Sequence, residues 1–235
     1  MRAIVAEKRE VAKGTLFVAF DLQGAAVDFR PGQYFWVELL DPPYVDEKGP
    51  RRHISVCSSP TERGALCLCT RLRDTAFKRS LAELEVGDAV EVEEPKGSFL
   101  LPEATDVPYV FVAGGIGITV FRSMLRYVRD ERLPYQITLV YSNRDRGSAA
   151  FLDELSELER EVPRLKLVLT MTDEEGWEGE TRRIDAAMLR DHLGELDAYR
   201  FLVAGPPAMA QAVVDSLHAA GLSEQSVLAD KFSGY

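Results

Sequence analysis

The sequence predicts two domains, a small antiparallel β-barrel followed by an α/β domain built on a parallel sheet. Three observations carry that expectation. Short, often alternating apolar segments fill the first hundred residues, strands alternate with helical patterns after them, and glycine-rich turns sit at strand ends in the second half. At 235 residues, 46% apolar and 28% charged, the chain has enough apolar material to bury a core.

In the first half the strand-like segments are LFVAFDLQ, GQYFWVELL, RRHISVCSS, ALCLCTRLR and DAVEVEEP. They are rich in Val, Phe, Tyr and Trp, and turn signals such as RPG, ERG and VGD punctuate them. DPPYVDEKGP between two of them reads as an exposed loop. After KGSFLLPEATDVP the rhythm changes. Strand-length runs appear at YVFVA, QITLVYS, LKLVLTM, RFLVAG and SVLADKF, with helical patterns between several of them. Phe151, Leu155, Leu158 and Val162 share one helical face, as do Met209, Val213 and Leu217, and Gly221 suits a C-cap. The change of rhythm puts the domain boundary near residues 100–107, dividing the chain into 1–103 and 104–235.

Composition excludes several classes. A net charge of −10 argues against a nucleic-acid binder. No apolar run is long enough to span a bilayer, and MRAIVAEKREVA lacks the apolar stretch of a secretory signal, so a soluble, cytoplasmic protein is expected. Cys57, Cys67 and Cys69 form no CxxC pair, and His53, His192 and His218 lack ligand spacing, so no metal site is expected and small buried thiols are.

The chemistry concentrates at strand ends. In VAGGIGIT, the glycines Gly114, Gly115 and Gly117 permit a tight turn and let a phosphate approach the backbone at the following helix N-terminus. Thr119 is placed to cap that helix, and a compact turn with no ligand is the competing reading. RFLVAGPPAM ends another strand with Gly205 and then Pro206 and Pro207, which suit entry into a helix. At a third strand end, Ser142 and Arg144 could hold an adenosine 2′-phosphate, whereas Asp145 would favour a free ribose hydroxyl; a solvated turn is equally compatible. In RLRDTAFKRSL, Asp74 or Thr75 could cap a helix whose amides favour a pyrophosphate, with Lys78 and Arg79 adding charge.

These segments together resemble the ferredoxin–NADP reductase family over essentially the whole chain. RPGQY at 30–34, RHISVCSSP at 52–60, GGIGIT at 114–119, AGPPAM at 204–209 and the terminal FSGY carry the likeness. The resemblance implies a flavin-binding barrel, FAD rather than FMN, and NADPH or NADH as the dinucleotide, with Ser142 and Arg144 inclining the choice to NADPH. On the flavin side it implies Arg52, paired with a flavin phosphate, then His53, Ile54, Ser55, Cys69, Thr70, Thr75, Phe77 and Lys78. On the dinucleotide side it implies Gly114, Gly115, Gly117, Thr119, Ser142, Arg144, Gly205, Pro206 and Met209, with Phe232 and Tyr235 at the C-terminus. Ser55, by a hydrogen bond near flavin N5, and Tyr235, by covering the ring, take the catalytic roles.

Three positions depart from the family pattern. Ile54 stands where a tyrosine is usual, Ala204 where a cysteine is, and Val120 where a proline is common. The implied activity moves hydride between NAD(P)H and FAD and passes electrons to a separate carrier such as ferredoxin or flavodoxin. An NAD(P)H:flavin reductase, an electron-transfer subunit of a larger complex and a non-redox nucleotide sensor are the alternatives. For carrier docking, the basic segment 71–79 and the face Arg122, Arg126, Arg129 are candidates, unless those arginines form a solvated helix face.

Overall fold

The structure, a computed structural model, describes residues 1–232. Its N-terminal half is a six-stranded antiparallel sheet in the order β4-β3-β6-β1-β2-β5. The strands are β1 (Arg2–Ala12), β2 (Thr15–Asp21), β3 (Tyr34–Leu39), β4 (Arg51–Ser55), β5 (Ala65–Arg71) and β6 (Ala89–Val92). The Cys57 amide donates to Cys67 O at 2.9 Å, drawing the segment after β4 against β5 and curling the sheet into a barrel-like form. Val18, Phe20, Phe35, Val37, Leu66, Leu68 and Val90 fill its interior. The first strand is the one that sequence pattern leaves out. Its EKRE segment is four charged residues in a row with no apolar signal; that stretch pairs with β2 alone, between two register shifts, while only Arg2–Ile4 pair with β6 as well.

A helix, α1 (Ala76–Glu83), crosses the barrel, with Thr75 at its N-cap accepting from the Lys78 amide at 3.4 Å. The 41–50 loop is mostly exposed yet tied down. Tyr44 exchanges hydrogen bonds with Ser80 Oγ at 3.1 and 3.0 Å, and the Arg79 guanidinium lies 3.9 Å from the Tyr44 ring centre.

The C-terminal half is a five-stranded parallel sheet in the order β11-β10-β7-β8-β9. It runs through β7 (Tyr109–Gly114), α2 (Ile118–Asp130), β8 (Ile137–Asn143), α3 (Leu152–Glu161), β9 (Leu165–Met171), α4 (Ala186–Leu193), β10 (Arg200–Gly205), α5 (Pro207–Ala219) and β11 (Val227–Lys231). Runs such as YVFVA and RFLVA are apolar without alternation because helices cover both faces. The expected face Phe151, Leu155, Leu158 and Val162 is buried, and Gly221, at φ +98°, follows α5 where a C-cap glycine is wanted. One apolar cluster belongs to neither half alone. It joins Phe17, Ala19, Cys57, Cys67 and Cys69 of the barrel to Phe121, Met124, Tyr141, Phe151 and Leu155 of the parallel half, and Phe99 and Leu101 of the connecting segment lie in it.

Candidate active site

A cleft of about 270 Å³ opens between the two halves. Its barrel wall consists of Tyr34, Arg52, His53, Ile54, Ser55, Cys69, Thr70, Phe77 and Lys78. Facing them are Ile116 and Thr119 from the glycine turn, Pro206 and Pro207 from the start of α5, and Asp230, Lys231 and Phe232 from the end of β11. The topology produces this directly. The carboxyl ends of β7 and β10 are neighbours, and β4 and β5 present their ends across the gap.

Small residues let the two strand ends meet. A Cβ on Gly117 would lie 2.2 Å from Ala204 O, so the turn after β7 can nest against β10 only without a side chain. Gly115 has φ +49° and nothing within 4 Å of its would-be Cβ, leaving open space above a bare backbone. Gly114 and Gly205 pack backbone to backbone, with the Met209 sulfur beside Gly114. Thr119 lines the cleft but does not cap. Its hydroxyl donates to Ile116 O at 3.0 Å, and the N-cap position of α2 is Gly117, because a short 3₁₀ turn precedes the helix.

The cleft has a basic end. Lys78 is buried, its ammonium donates to Arg71 O at 2.9 Å, and burial with Arg73 nearby pulls its pKa down to about 8. Arg71 and Arg73 line the cleft beside it. Arg52, expected to meet a flavin phosphate, lines the cleft and is also tied to the 41–50 loop. Its guanidinium donates to Lys48 O at 3.0 Å, Gly49 O at 2.8 Å and Arg51 O at 2.7 Å, pairs with Asp46 at 3.2 Å, and lies 5.3 Å from the Phe77 ring centre. Burial lowers the His53 pKa, and that ring lies between Tyr34 and Trp36 at 5.1 and 5.0 Å.

The three thiols are free and buried; burial pushes Cys67 and Cys69 up to about 12, which leaves them protonated packing groups. Asp230 is also raised by burial.

Several expected residues fall elsewhere. Thr75, Gly114, Gly115, Gly117, Gly205 and Met209 shape the turns behind the lining. Ser142 and Arg144 lie at the end of β8, and Tyr235 lies outside the described residues. At the β8 end, Asp145 Oδ1 accepts from the Ser148 amide at 2.7 Å, and Arg146 is bound to Glu174 at 2.5 Å. The sequence reading missed Tyr34, Ile116, Pro207, Asp230 and Lys231 as lining residues. Asp230 and Lys231, charged residues closing the last parallel strand, were the available signal.

The arginine face expected to dock a carrier is turned inward. Arg122 is buried, Arg126 pairs with Glu62 at 3.1 Å and Glu154 at 2.9 Å, and Arg129 pairs with Asp130 and Glu161. Helix α2 lies against the barrel through Arg122 and Arg126, while Arg129, partly exposed, is paired with acidic residues of its own half. That correction leaves the 71–79 segment as the basic surface beside the cleft.

The donor set suits a flavin and a dinucleotide: an apolar slot, a basic end at a capped helix start, and an open glycine backbone opposite. Comparison with known families agrees. Residues 2–100 match the Oxidoreductase FAD-binding domain and residues 111–215 the Oxidoreductase NAD-binding domain. The chain belongs to the ferredoxin reductase-like family of FAD- and NAD-binding oxidoreductases. This oxidoreductase is 27% identical over 203 residues to a subunit of the Na(+)-translocating NADH-quinone reductase of Neisseria meningitidis, covering 78% of the chain and 49% of that protein. It is 27% identical over 213 residues to terephthalate 1,2-dioxygenase reductase component 1 of Comamonas sp, covering 89% of the chain and 61% of that protein.

The chain thus spans about half to three fifths of the length of these relatives. Phthalate dioxygenase reductase, described as a modular structure for electron transfer from pyridine nucleotides to a 2Fe-2S centre, superimposes with a TM-score of 0.78 at 26% identity, covering 100% of this chain and 69% of that one. The FAD/NAD-binding domain of nitric oxide dioxygenase from Vibrio cholerae shares the fold, with a TM-score of 0.86 at 20% identity over 98% of both chains. Among the described residues no helix is long and apolar enough to cross a membrane.

Proposed function

We propose that this chain is an FAD-dependent NADH oxidoreductase that passes electrons to a separate carrier, a ferredoxin, a flavodoxin or another small redox protein. The observation that supports it most is the cleft walled by both halves, with Ser55 on one side and Thr119 and Pro206 on the other. Bound there, the flavin would supply the chemistry of taking a hydride pair from a nicotinamide and releasing electrons singly.

The chain's own residues bind and orient. Lys78, Arg71 and Arg73, with the capped start of α1, hold the flavin phosphates. Ser55 offers its hydroxyl to the reactive edge of the ring, and Ile54, Tyr34 and Phe77 enclose it. The open backbone at Gly115 admits the dinucleotide phosphates, and Tyr235 covers the ring when no nicotinamide is there. A domain division at 103/104 and a cytoplasmic location belong to the same proposal; three unpaired thiols suit a reducing compartment.

NADH is preferred here to NADPH. The rim beyond β8 carries two exposed arginines, Arg144 and Arg146, but Arg146 is paired with Glu174, and Asp173 and Glu175 are exposed nearby. A 2′-phosphate would add negative charge to that rim. The names of the relatives, one a subunit of a complex and the other a reductase component, also favour a second reading in which the acceptor is a permanent partner.

An anaerobic visible spectrum tests both. The purified protein should be yellow, keep its flavin through gel filtration, and bleach faster with NADH than with NADPH. Colourless protein that binds dinucleotide overturns the redox reading, faster bleaching by NADPH overturns the coenzyme choice, and a stable copurifying acceptor selects the second reading.

A further inference from the structure

Helix α2 carries the dinucleotide turn at one end and meets the barrel along its length. Four of its residues reach the 57–62 segment, which continues β4 beyond Ser55. Arg122 Nη1 donates to Cys57 O at 2.5 Å, and Ser123 Oγ to Ser58 O at 2.6 Å. Arg126 pairs with Glu62 at 3.1 Å, and Asp130 accepts from Thr61 Oγ1. Arg122 is well enclosed, at 3% exposure. Its Nε donates to Glu154 at 3.0 Å, and its guanidinium lies 4.8 Å from the Phe151 ring centre and 5.8 Å from that of Phe17. Those rings come from opposite halves and meet edge to face at 6.3 Å.

We propose that Arg122 is a positioning residue for hydride transfer, fixing the dinucleotide turn relative to the flavin-facing strand. The lever is short. Thr119 lies one helical turn before Arg122, and Ser55 lies one strand repeat before Cys57, so both cleft walls are within about 7 Å of this joint along their own backbones. Any tilt of α2 against the barrel passes almost undiminished into the spacing between Thr119 and Ser55. A guanidinium suits the joint because its planar fork donates in two directions while its faces pack on aromatic rings. A lysine offers a point charge with neither the fork nor the flat face. The inference rests on the redox reading above, since it assigns the joint to a reaction across the cleft.

The test uses the whole chain with Arg122→Met, Arg122→Lys and Ser123→Ala. Three quantities are read: the limiting rate of flavin reduction by NADH in anaerobic stopped-flow, the long-wavelength charge-transfer absorbance on mixing, and hydrogen exchange in 57–62 and 118–130. Arg122→Met should lower the limiting rate at least tenfold and weaken the charge-transfer band, while flavin content and NADH dissociation constant stay within about twofold. Arg122→Lys should recover part of the rate, and Ser123→Ala should lose a few-fold. Exchange should rise in both segments together.

A folded, flavin-replete Arg122→Met protein with the wild-type rate and band overturns the proposal. If that variant fails to fold or loses flavin, Ser123→Ala decides, and a wild-type rate and exchange pattern there overturns it. Exchange coupling is measured whatever the cleft holds, so a wild-type protein that neither NADH nor NADPH can reduce rejects the redox reading while the joint is judged on exchange alone.

Discussion

Lys78 shows how a single residue's surroundings set its chemistry. In an exposed helix turn it would titrate near the ordinary 10.5, but burial beside Arg73 brings it to about 8. In the ligand-free protein it is therefore protonated below pH 8 and increasingly neutral above. The unfolded chain keeps its proton up to 10.5, so between those values the unfolded state holds more protons and the ligand-free fold gains stability as pH rises. Flavin binding runs the other way, because a phosphate stabilises the ammonium form. FAD affinity should be flat below pH 8 and then fall by up to about tenfold per pH unit, one proton being taken up on binding. In Lys78→Met it should be weaker and flat throughout. Fluorescence titration from about pH 6.5 to 9.5 checks this, and a flat wild-type profile removes Lys78 from the phosphate site. Lys78 was readable from RLRDTAFKRSL as a basic neighbour of a cap; its depressed pKa was not, since burial depends on what packs over it.

The glycine turn shows two neighbouring glycines doing different things. Gly117 is there for the fold: an added Cβ would sit 2.2 Å from Ala204 O, against backbone that has no side chain to swing away. Gly117→Ala should cost about 3 kcal/mol in urea unfolding, at the upper end for overpacking. Gly115 has open space above it, where the proposed dinucleotide would pass; Gly115→Ala should cost only about 1–2 kcal/mol from its positive φ yet weaken dinucleotide binding. Equal stability losses in the two variants would sink this distinction. The strand–turn–helix pattern of VAGGIGIT announced the turn, and RFLVAGPPAM announced its partner. That the two press against each other follows only from β7 and β10 being neighbours in the sheet. The same contact explains why Thr119, expected as a cap, sits inside the helix. The charged β1 was missed for a related reason: pairing with β2 along its length and with β6 at its start holds it, with little apolar pattern of its own.

At the scale of the molecule the two halves share a core. Phe17 and the barrel cysteines pack with Phe121, Tyr141 and Phe151, and Arg122 stitches the same seam. A division into independent domains would leave that apolar face open to water. The whole chain should therefore unfold in one calorimetric transition, with van't Hoff and calorimetric enthalpies in agreement. Two resolved transitions would show the seam to be weak.

What the sequence determined by itself was local. Strand rhythm, glycine and proline placement at strand ends, and a basic segment beside a cap are encoded within windows of about ten residues. They were enough for the two-domain fold, the glycine turn and most of the residues on the barrel side of the cleft. What tertiary structure alone decided was which side chains face one another. Arg122, Arg126 and Arg129 have the spacing of a solvated helix face. Yet all three meet the barrel or acidic neighbours in their own half. Helical period says which residues share a face, but a charge finds its partner through packing between segments far apart in the chain, and no local pattern carries that information.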